Sequence, residues 1–246
     1  MLLQNSRVLV TGVNSGLGKY LFDMLPGCDG LNRENSGRIL DSGKDYDLII
    51  HCAFNRGEDS RDYCDYADMV EDSLLLTRRL CDLECKKMIY ISSIDVYKQE
   101  NNYYKLMKLL AEATVTKHSN NYLIFRCSAI LGPTMRKNSL VKILECEKCY
   151  LTLSGDSTFN YILQEDVLEA INLSFASDTT GIIDFVSSDN LKLQDIGDMF
   201  GRDVTFGEYF YRTGDINNDN LISIAPSLNK TSLEVVKSFL GECYDK

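Results

Sequence analysis

The chain is short of proline and of basic charge, and it has no long apolar run. Only 3 prolines occur in 246 residues. That argues against a disordered or low-complexity linker. Lys and Arg together number 26 against 36 Asp and Glu, a formal net charge of −10. Nucleic-acid surfaces neutralise phosphates with clustered Lys and Arg, so this balance argues against that partner class. A small anionic ligand would still need a few local cations. The apolar stretches are strand-sized, so no membrane span is expected. The first residues lack a basic segment followed by a long apolar run, so no export signal is read there and a cytoplasmic location is expected. Cysteine is not scarce, but the nine residues are odd in number and scattered, which reads as reduced thiols. Cys81 with Cys85 and Cys146 with Cys149 are the close pairs to weigh as zinc ligands. Cys81 lies on a strongly helical stretch and only the second pair has CxxC spacing, so no metal site is expected. Internal repeats are absent.

What is present supports a real core, since 44% of the residues are hydrophobic and 10% aromatic. The stretch Arg7-Val8-Leu9-Val10-Thr11-Gly12-Val13-Asn14-Ser15-Gly16-Leu17-Gly18 organises the rest. It reads as a short apolar strand, a glycine turn of the form TGxxxGxG and a helix from Gly16 to Met24. Glycine lets backbone approach a ligand closely. A helix start directs free N–H groups and a positive dipole end at an anion. The pattern therefore reads as a phosphate cradle.

Downstream, Pro26 stops the first helix and Cys28 to Asn32 reads as strand two. Asn32 lies about twenty residues beyond Gly12, where a dinucleotide fold places the group that reads the adenosine ribose. An acidic side chain there would suit NAD. Asn32 and Arg33 stand there instead, and a guanidinium suits the 2′-phosphate of NADP. Arg38 to Leu40 reads as strand three. The few residues before strand four, Asp47 to Cys52, leave no room for a crossover helix, so a trimmed sheet edge is expected. The continuous apolar run of strand four suits burial on both faces. His51 on it reads as a packed histidine rather than a base. Helices are expected over Ser60 to Leu83 and Tyr103 to His118, and strands over Lys87 to Ile91 and Tyr122 to Arg126. Beyond Gly132-Pro133 come a helix (Asn138 to Glu147), a strand (Tyr150 to Leu153), a helix from Gln164 to Ala176, a strand (Gly181 to Val186) and a helix (Leu191 to Phe200). Thr231-Ser232-Leu233-Glu234 has the form of a capping box. The alternation predicts an α/β fold with a doubly wound parallel sheet. Residues 1–130 form its dinucleotide-binding core. Residues 131–246 supply the remaining strands and a small mixed lobe, continuous with it, where a second ligand would sit.

Strand five ends in Ser92-Ser93, and Tyr104 and Lys108 follow on one face of a helix. An ammonium near a phenol favours the phenolate, which can exchange a proton with a carbinol oxygen. Ser93 can orient that oxygen, and Lys108 can also hold a ribose.

These landmarks resemble the short-chain dehydrogenase/reductase superfamily, in its extended, nucleotide-sugar-modifying branch (the NAD-dependent epimerase/dehydratase family). The resemblance rests on TGVNSGLG at Thr11 to Gly18, DLIIHCA at Asp47 to Ala53 and YISSIDVY at Tyr90 to Tyr97 with Tyr104 and Lys108. FRCSAILGP at Phe125 to Pro133 and YILQEDV at Tyr161 to Val167 extend it. It implies the doubly wound sheet and a catalytic trio of Ser93, Tyr104 and Lys108. It places a cofactor on Gly12, Asn14, Ser15, Gly16, Leu17, Gly18, Asn32, Arg33, Cys52 and Ala53, with Tyr104 and Lys108 at its reactive end. The substrate would meet Ser93, Asp95 and Arg136, with Lys137 and Lys142 as further candidate cations. Dehydratases of the family carry an acidic pair after the catalytic Ser or Thr. Ile94 takes the first of those positions here, so dehydration is disfavoured. With Arg33, the turn sequence is similar to the 4-dehydrorhamnose reductase group, implying a reductase of a keto-sugar nucleotide using NADP(H). An NAD-dependent 4-epimerase with the same trio, or a non-catalytic dinucleotide-binding regulator, are the alternatives. Ala129 lacks the amide that several relatives use on substrate. A homodimer through a four-helix interface, built from the Ser60–Leu83 and Tyr103–His118 helices, is a further implication.

Overall fold

The computed structural model describes residue 3 and residues 6–55, 66–100 and 102–244. Strand Val8–Thr11 (β1) is buried along its whole length and leads through the glycine turn into helix Gly16–Met24. Asp29–Leu31 (β2), Tyr46–His51 (β3), Cys85–Ser93 (β4), Tyr122–Cys127 (β5) and a strand at Gly181–Phe185 complete a six-stranded sheet. Its order is Gly181–Phe185, β5, β4, β3, β1, β2, and every pairing is parallel. Thr11 stands beside His51, His51 beside Tyr90, and Ser93 beside Cys127. The register thus brings Gly12, Cys52 and Ser93 to one carboxyl edge, where parallel α/β sheets bind ligands.

Alternation along the strands divides the core. Val10, Ile50, Ile91 and Phe125 pack with Leu17, Leu21, Val167 and Ile171 of two covering helices. Leu9, Ile49, Tyr90 and Ile124 pack on the opposite face with Leu80, Ala111 and Val115. Both faces are covered, which is why strand four of the sequence reading was an unbroken apolar run.

The predicted strand at Arg38 to Leu40 is instead a helix, Ser36–Leu40. Three residues carry too little periodicity to separate strand from helix. The decisive element lies upstream: the Asn32 side chain accepts the Glu34 and Asn35 N–H groups at 3.0 and 3.1 Å, turning the chain before it can pair. Ile39 and Leu40 then pack beside Leu31 and Tyr46. The three-residue β2 is left as the sheet edge, trimmed as expected. The long helix after β3 begins at Tyr66 among the described residues, and Ser60 to Asp65 lie outside them. It runs through Tyr66–Met69, a π-helical turn at Val70–Leu75 and Leu76–Cys81.

The remaining chain builds a lobe with its own apolar cluster, including Leu140, Ile143, Leu163, Ile196 and Val236. Its strands pair in twos: Ala129–Leu131 with Tyr161–Leu163, Lys148–Tyr150 with Asp203–Thr205, and Thr158–Phe159 with Leu191–Lys192. The strand expected at Tyr150 to Leu153 therefore lies earlier, and the helix expected from Leu191 starts at Leu193. The capping box forms: Glu234 Oε2 accepts the Thr231 N–H at 2.7 Å and Thr231 Oγ1 accepts the Glu234 N–H at 3.1 Å.

Candidate active site

The glycine turn is shaped by close approach. A Cβ on Gly12 would lie 2.9 Å from the Ala53 nitrogen, and one on Gly18 would lie 2.4 Å from the Gly12 carbonyl oxygen. Gly16 has open space around it but a φ of +59°, so its requirement is conformational. A contact from far along the chain braces the turn. The Gly16 N–H donates to the Thr134 carbonyl at 2.9 Å, and the Thr134 hydroxyl donates back to the Gly16 carbonyl at 2.7 Å. The segment after Gly132 is thereby clamped beside the cradle.

Two cavities open at this edge. The first, of about 580 Å³, is lined by Gly12, Asn14, Ser15, Asn32, Arg33 and Ala53 among others. Its volume suits the adenosine half of a dinucleotide. Arg33 stands where the sequence placed it, but its Nη2 pairs with Asp72 Oδ2 at 2.6 Å. Asp72 also takes the Asn55 amide at 2.9 Å. Asp72 and Glu71 ride on the π-helical turn, and Glu34 adds a further carboxylate to the lining. Arg79, on the same wall, is paired with Asp41 at 2.8 Å. The Asn32 side chain is spent on its own turn. A 2′-phosphate entering here would meet carboxylates beside cations that already have partners, so the charge argument for NADP weakens.

The second cavity, of about 530 Å³, brings Ser93, Tyr104 and Lys108 together with Gly16, Leu17 and Gly18. Cys52, Asp95, Ala129, Arg136 and Lys137 line it too. Lys142 is exposed on helix Ser139–Glu145 and lines neither cavity. Helix Tyr103–His118 carries Tyr104 and Lys108, and Asn102 caps it by accepting the Lys105 N–H at 2.8 Å. Lys108 is buried and donates to the Ile91 carbonyl at 2.8 Å. Its ammonium lies 6.0 Å from the centre of the Tyr104 ring. Ser93 Oγ accepts the Asp95 N–H at 3.2 Å, which leaves its proton to donate elsewhere. Asp95 is engaged by Lys98 at 2.9 Å and by the Tyr211 hydroxyl at 2.9 Å. Burial pushes the Cys52 thiol up to about 12, so it serves as packing and not as a nucleophile.

Several lining residues escaped the sequence reading. Tyr211 and Phe159 stack at 4.5 Å between ring centres and face the crevice from the lobe; nothing near them in sequence marks that role. Ser128 also lines the crevice, with a buried hydroxyl that has no hydrogen-bond partner among the described residues. Phe54, three residues beyond the end of β3, lies at the carboxyl edge where such sheets meet their ligands.

The edge is held from behind. Thr11 Oγ1 accepts the Cys52 and Ala53 N–H groups at 3.1 and 3.0 Å, so its proton goes to His51 Nδ1 at 2.8 Å. The ring's Nε2–H then reaches Thr77 Oγ1 at 2.8 Å. His51 is a neutral structural link, as its sequence reading implied, and burial drives its pKa down to about 3. In the unfolded chain it would titrate near ~6.5. Stability from this residue is complete above that pH and is lost as pH falls toward the folded value. Between pH 8 and pH 5, urea unfolding is expected to show a loss about 2 kcal/mol larger in wild type than in the His51→Gln variant. Equal losses in both proteins would contradict the neutral assignment.

These features suit a dinucleotide: a cradle that side chains would fill, and two cavities meeting beside it. A sequence model of the NAD dependent epimerase/dehydratase family matches residues 8–183. No curated protein matches the chain in sequence. Among solved structures, the chain is similar to the UDP-glucuronic acid 4-epimerase from Bacillus cereus in complex with UDP-glucuronic acid and NAD. The TM-score is 0.75 at 14% identity, covering 97% of this chain and 100% of that one. MoeE5 in complex with UDP-glucose and NAD gives 0.74 at 16%, covering 96% and 99%. RMD from Pseudomonas aeruginosa complexed with NADPH gives 0.71 at 19%, covering 97% and 99%. At such identities the likeness speaks for the fold.

Proposed function

The chain belongs to the NAD dependent epimerase/dehydratase family, and from that premise we propose that it is an NAD-dependent 4-epimerase of a sugar nucleotide. The observation that carries this reading is the pairing of Arg33 with Asp72. With Glu71 and Glu34, Asp72 makes the lining of the first cavity acidic, which suits a ribose diol better than a 2′-phosphate, and it pairs with the cation that had pointed to NADP. The B. cereus epimerase and MoeE5, both with NAD and a UDP-sugar, support the same choice.

Gly12, Asn14, Ser15, Gly16, Leu17 and Gly18 would hold the cofactor's diphosphate, and Lys108 its second ribose. When bound, the nicotinamide would supply a reversible acceptor for the hydride of the sugar carbon. The chain's own residues handle the proton. Tyr104, as phenolate, takes it from the sugar hydroxyl while Ser93 donates a hydrogen bond to that same oxygen. The nearby ammonium of Lys108 stabilises the phenolate. After the keto-sugar turns over in the crevice, Tyr104 returns the proton and the opposite configuration results. Tyr211, Phe159 and Arg136, which line the second cavity, would meet the substrate. Leu75, Leu106 and Leu110, exposed on the two helices that cover one sheet face, support pairing of two chains there.

The second reading is the NADPH-dependent keto-sugar reductase, favoured by the presence of Arg33 and by the likeness to RMD with NADPH. Gel filtration separates the two. An epimerase is expected to keep nicotinamide absorbance through the column and to interconvert 4-epimers of a UDP-hexose without added cofactor. Loss of all nicotinamide, with turnover restored by NADPH and a keto-sugar nucleotide, would select the reductase.

A further inference from the structure

Phe54 stands where the two cavities meet. It lines both, as do Ser15 and Arg136. Its ring meets the Tyr104 ring edge-on, with centres 5.1 Å apart and planes at 79°. The Lys108 ammonium lies 4.3 Å from the centre of the same ring. Lys108 is only 4% exposed. Its ammonium is thus enclosed by the Ile91 carbonyl and by the faces of Phe54 and Tyr90, the latter at 4.9 Å. A ring held by an ammonium on its face and a phenol at its edge has a defined resting position.

That position conflicts with the proposed cofactor, on whose reading this inference rests. A dinucleotide that fills both cavities carries its diphosphate and second ribose through their junction. For Lys108 to meet the ribose hydroxyls, it must exchange the ring face for them. We propose that Phe54 is a gate ring. It covers the Tyr104–Lys108 pair in the conformation seen here and swings aside when the nicotinamide half of a dinucleotide enters. The adenosine cavity fills without that movement. Phe54 is one wall residue of the adenosine cavity but need not move to admit a ligand there, so AMP is expected to feel its loss far less than NAD, whose binding works against the ring. The ring also keeps the buried Lys108 ammonium away from water until the cofactor is seated.

The test compares AMP and NAD by calorimetry on the same proteins, each first stripped of retained nicotinamide with charcoal and checked by absorbance. Phe54→Ala is expected to bind NAD about tenfold more tightly than wild type, equal to about 1.4 kcal/mol, with AMP affinity unchanged within about twofold. Phe54→Leu, a milder truncation, is expected to fall between them. Retained AMP binding shows that each variant is folded. The chain contains no tryptophan, so Phe54→Trp introduces a single indole at the junction. Its emission is expected to change on adding NAD and to stay constant on adding AMP. The gate is overturned if Phe54→Ala binds AMP normally but NAD no more tightly. It is also overturned if AMP and NAD affinities shift together, or if the indole emission ignores NAD. Should neither ligand bind wild type or any variant, the dinucleotide reading fails and takes the gate with it.

Discussion

Tyr104→Phe is expected to cut turnover by about 10²- to 10⁴-fold, the usual contribution of a positioned proton-transfer group. The substitution removes one oxygen and keeps the ring that packs edge-on against Phe54. Cofactor affinity should therefore hold within about threefold, so the loss falls on kcat. The reason is positional. Tyr104 shares a crevice with Ser93 and with the turn residues Gly16 to Gly18, and Lys108 stands one helical turn beyond it. Steady-state kinetics with NAD titration on the purified variant would decide the matter. Undiminished turnover would remove Tyr104 from the chemistry and overturn the catalytic assignment.

A second large effect is expected from Glu112→Ala, this time on stability. Glu112 is 4% exposed and lies one turn beyond Lys108 on the same helix. Its Oε2 accepts from Arg126 Nη2 at 2.7 Å, and its Oε1 from Arg126 Nε at 3.1 Å and from Ser92 Oγ. The carboxylate thus ties the helix that carries Tyr104 to β4 and β5 directly behind Ser93. Removing it leaves a guanidinium, whose side chain is only 15% exposed, with the Tyr97 hydroxyl as its one remaining side-chain acceptor among the described residues. Breaking a buried pair from one side costs about 3–5 kcal/mol, a large share of the ~5–15 kcal/mol that holds a domain together. Denaturant unfolding should show a matching fall in midpoint with unchanged slope. Glu112→Gln keeps the shape and one acceptor oxygen but turns an amide N–H group toward a donor of Arg126 or Ser92, so it should recover only part of the loss. A Glu112→Ala variant as stable as wild type would show that the pair is worth little and that apolar packing alone positions the helix.

Much of this architecture was readable without coordinates. Helices Gly16–Met24, Tyr103–His118 and Gln164–Ala176 begin and end where their apolar spacing and end residues placed them. The glycine turn, the apolar run of β3 and the Tyr104/Lys108 spacing could also be read, because each depends on neighbours within a few residues. Errors arose where local signals were short or ambiguous. Arg38 to Leu40 carried three residues of pattern, and the Asn32 turn upstream settled their conformation. Arg33 was located correctly, yet its meaning changed once Asp72 came into contact.

The sequence by itself determined the doubly wound sheet, the glycine turn and the placing of Tyr104 and Lys108 one turn apart on a helix. Local periods and turn chemistry encode these directly. Tertiary structure alone decided that Arg33 is partnered from 39 residues away, that Tyr211 reaches Asp95 across 116 and that Thr134 clamps Gly16 across 118. It also decided that Phe54 rests on Lys108. No periodicity connects residues so far apart in the chain. Their meeting is set by how strands order in the sheet and how the lobe folds back over its edge.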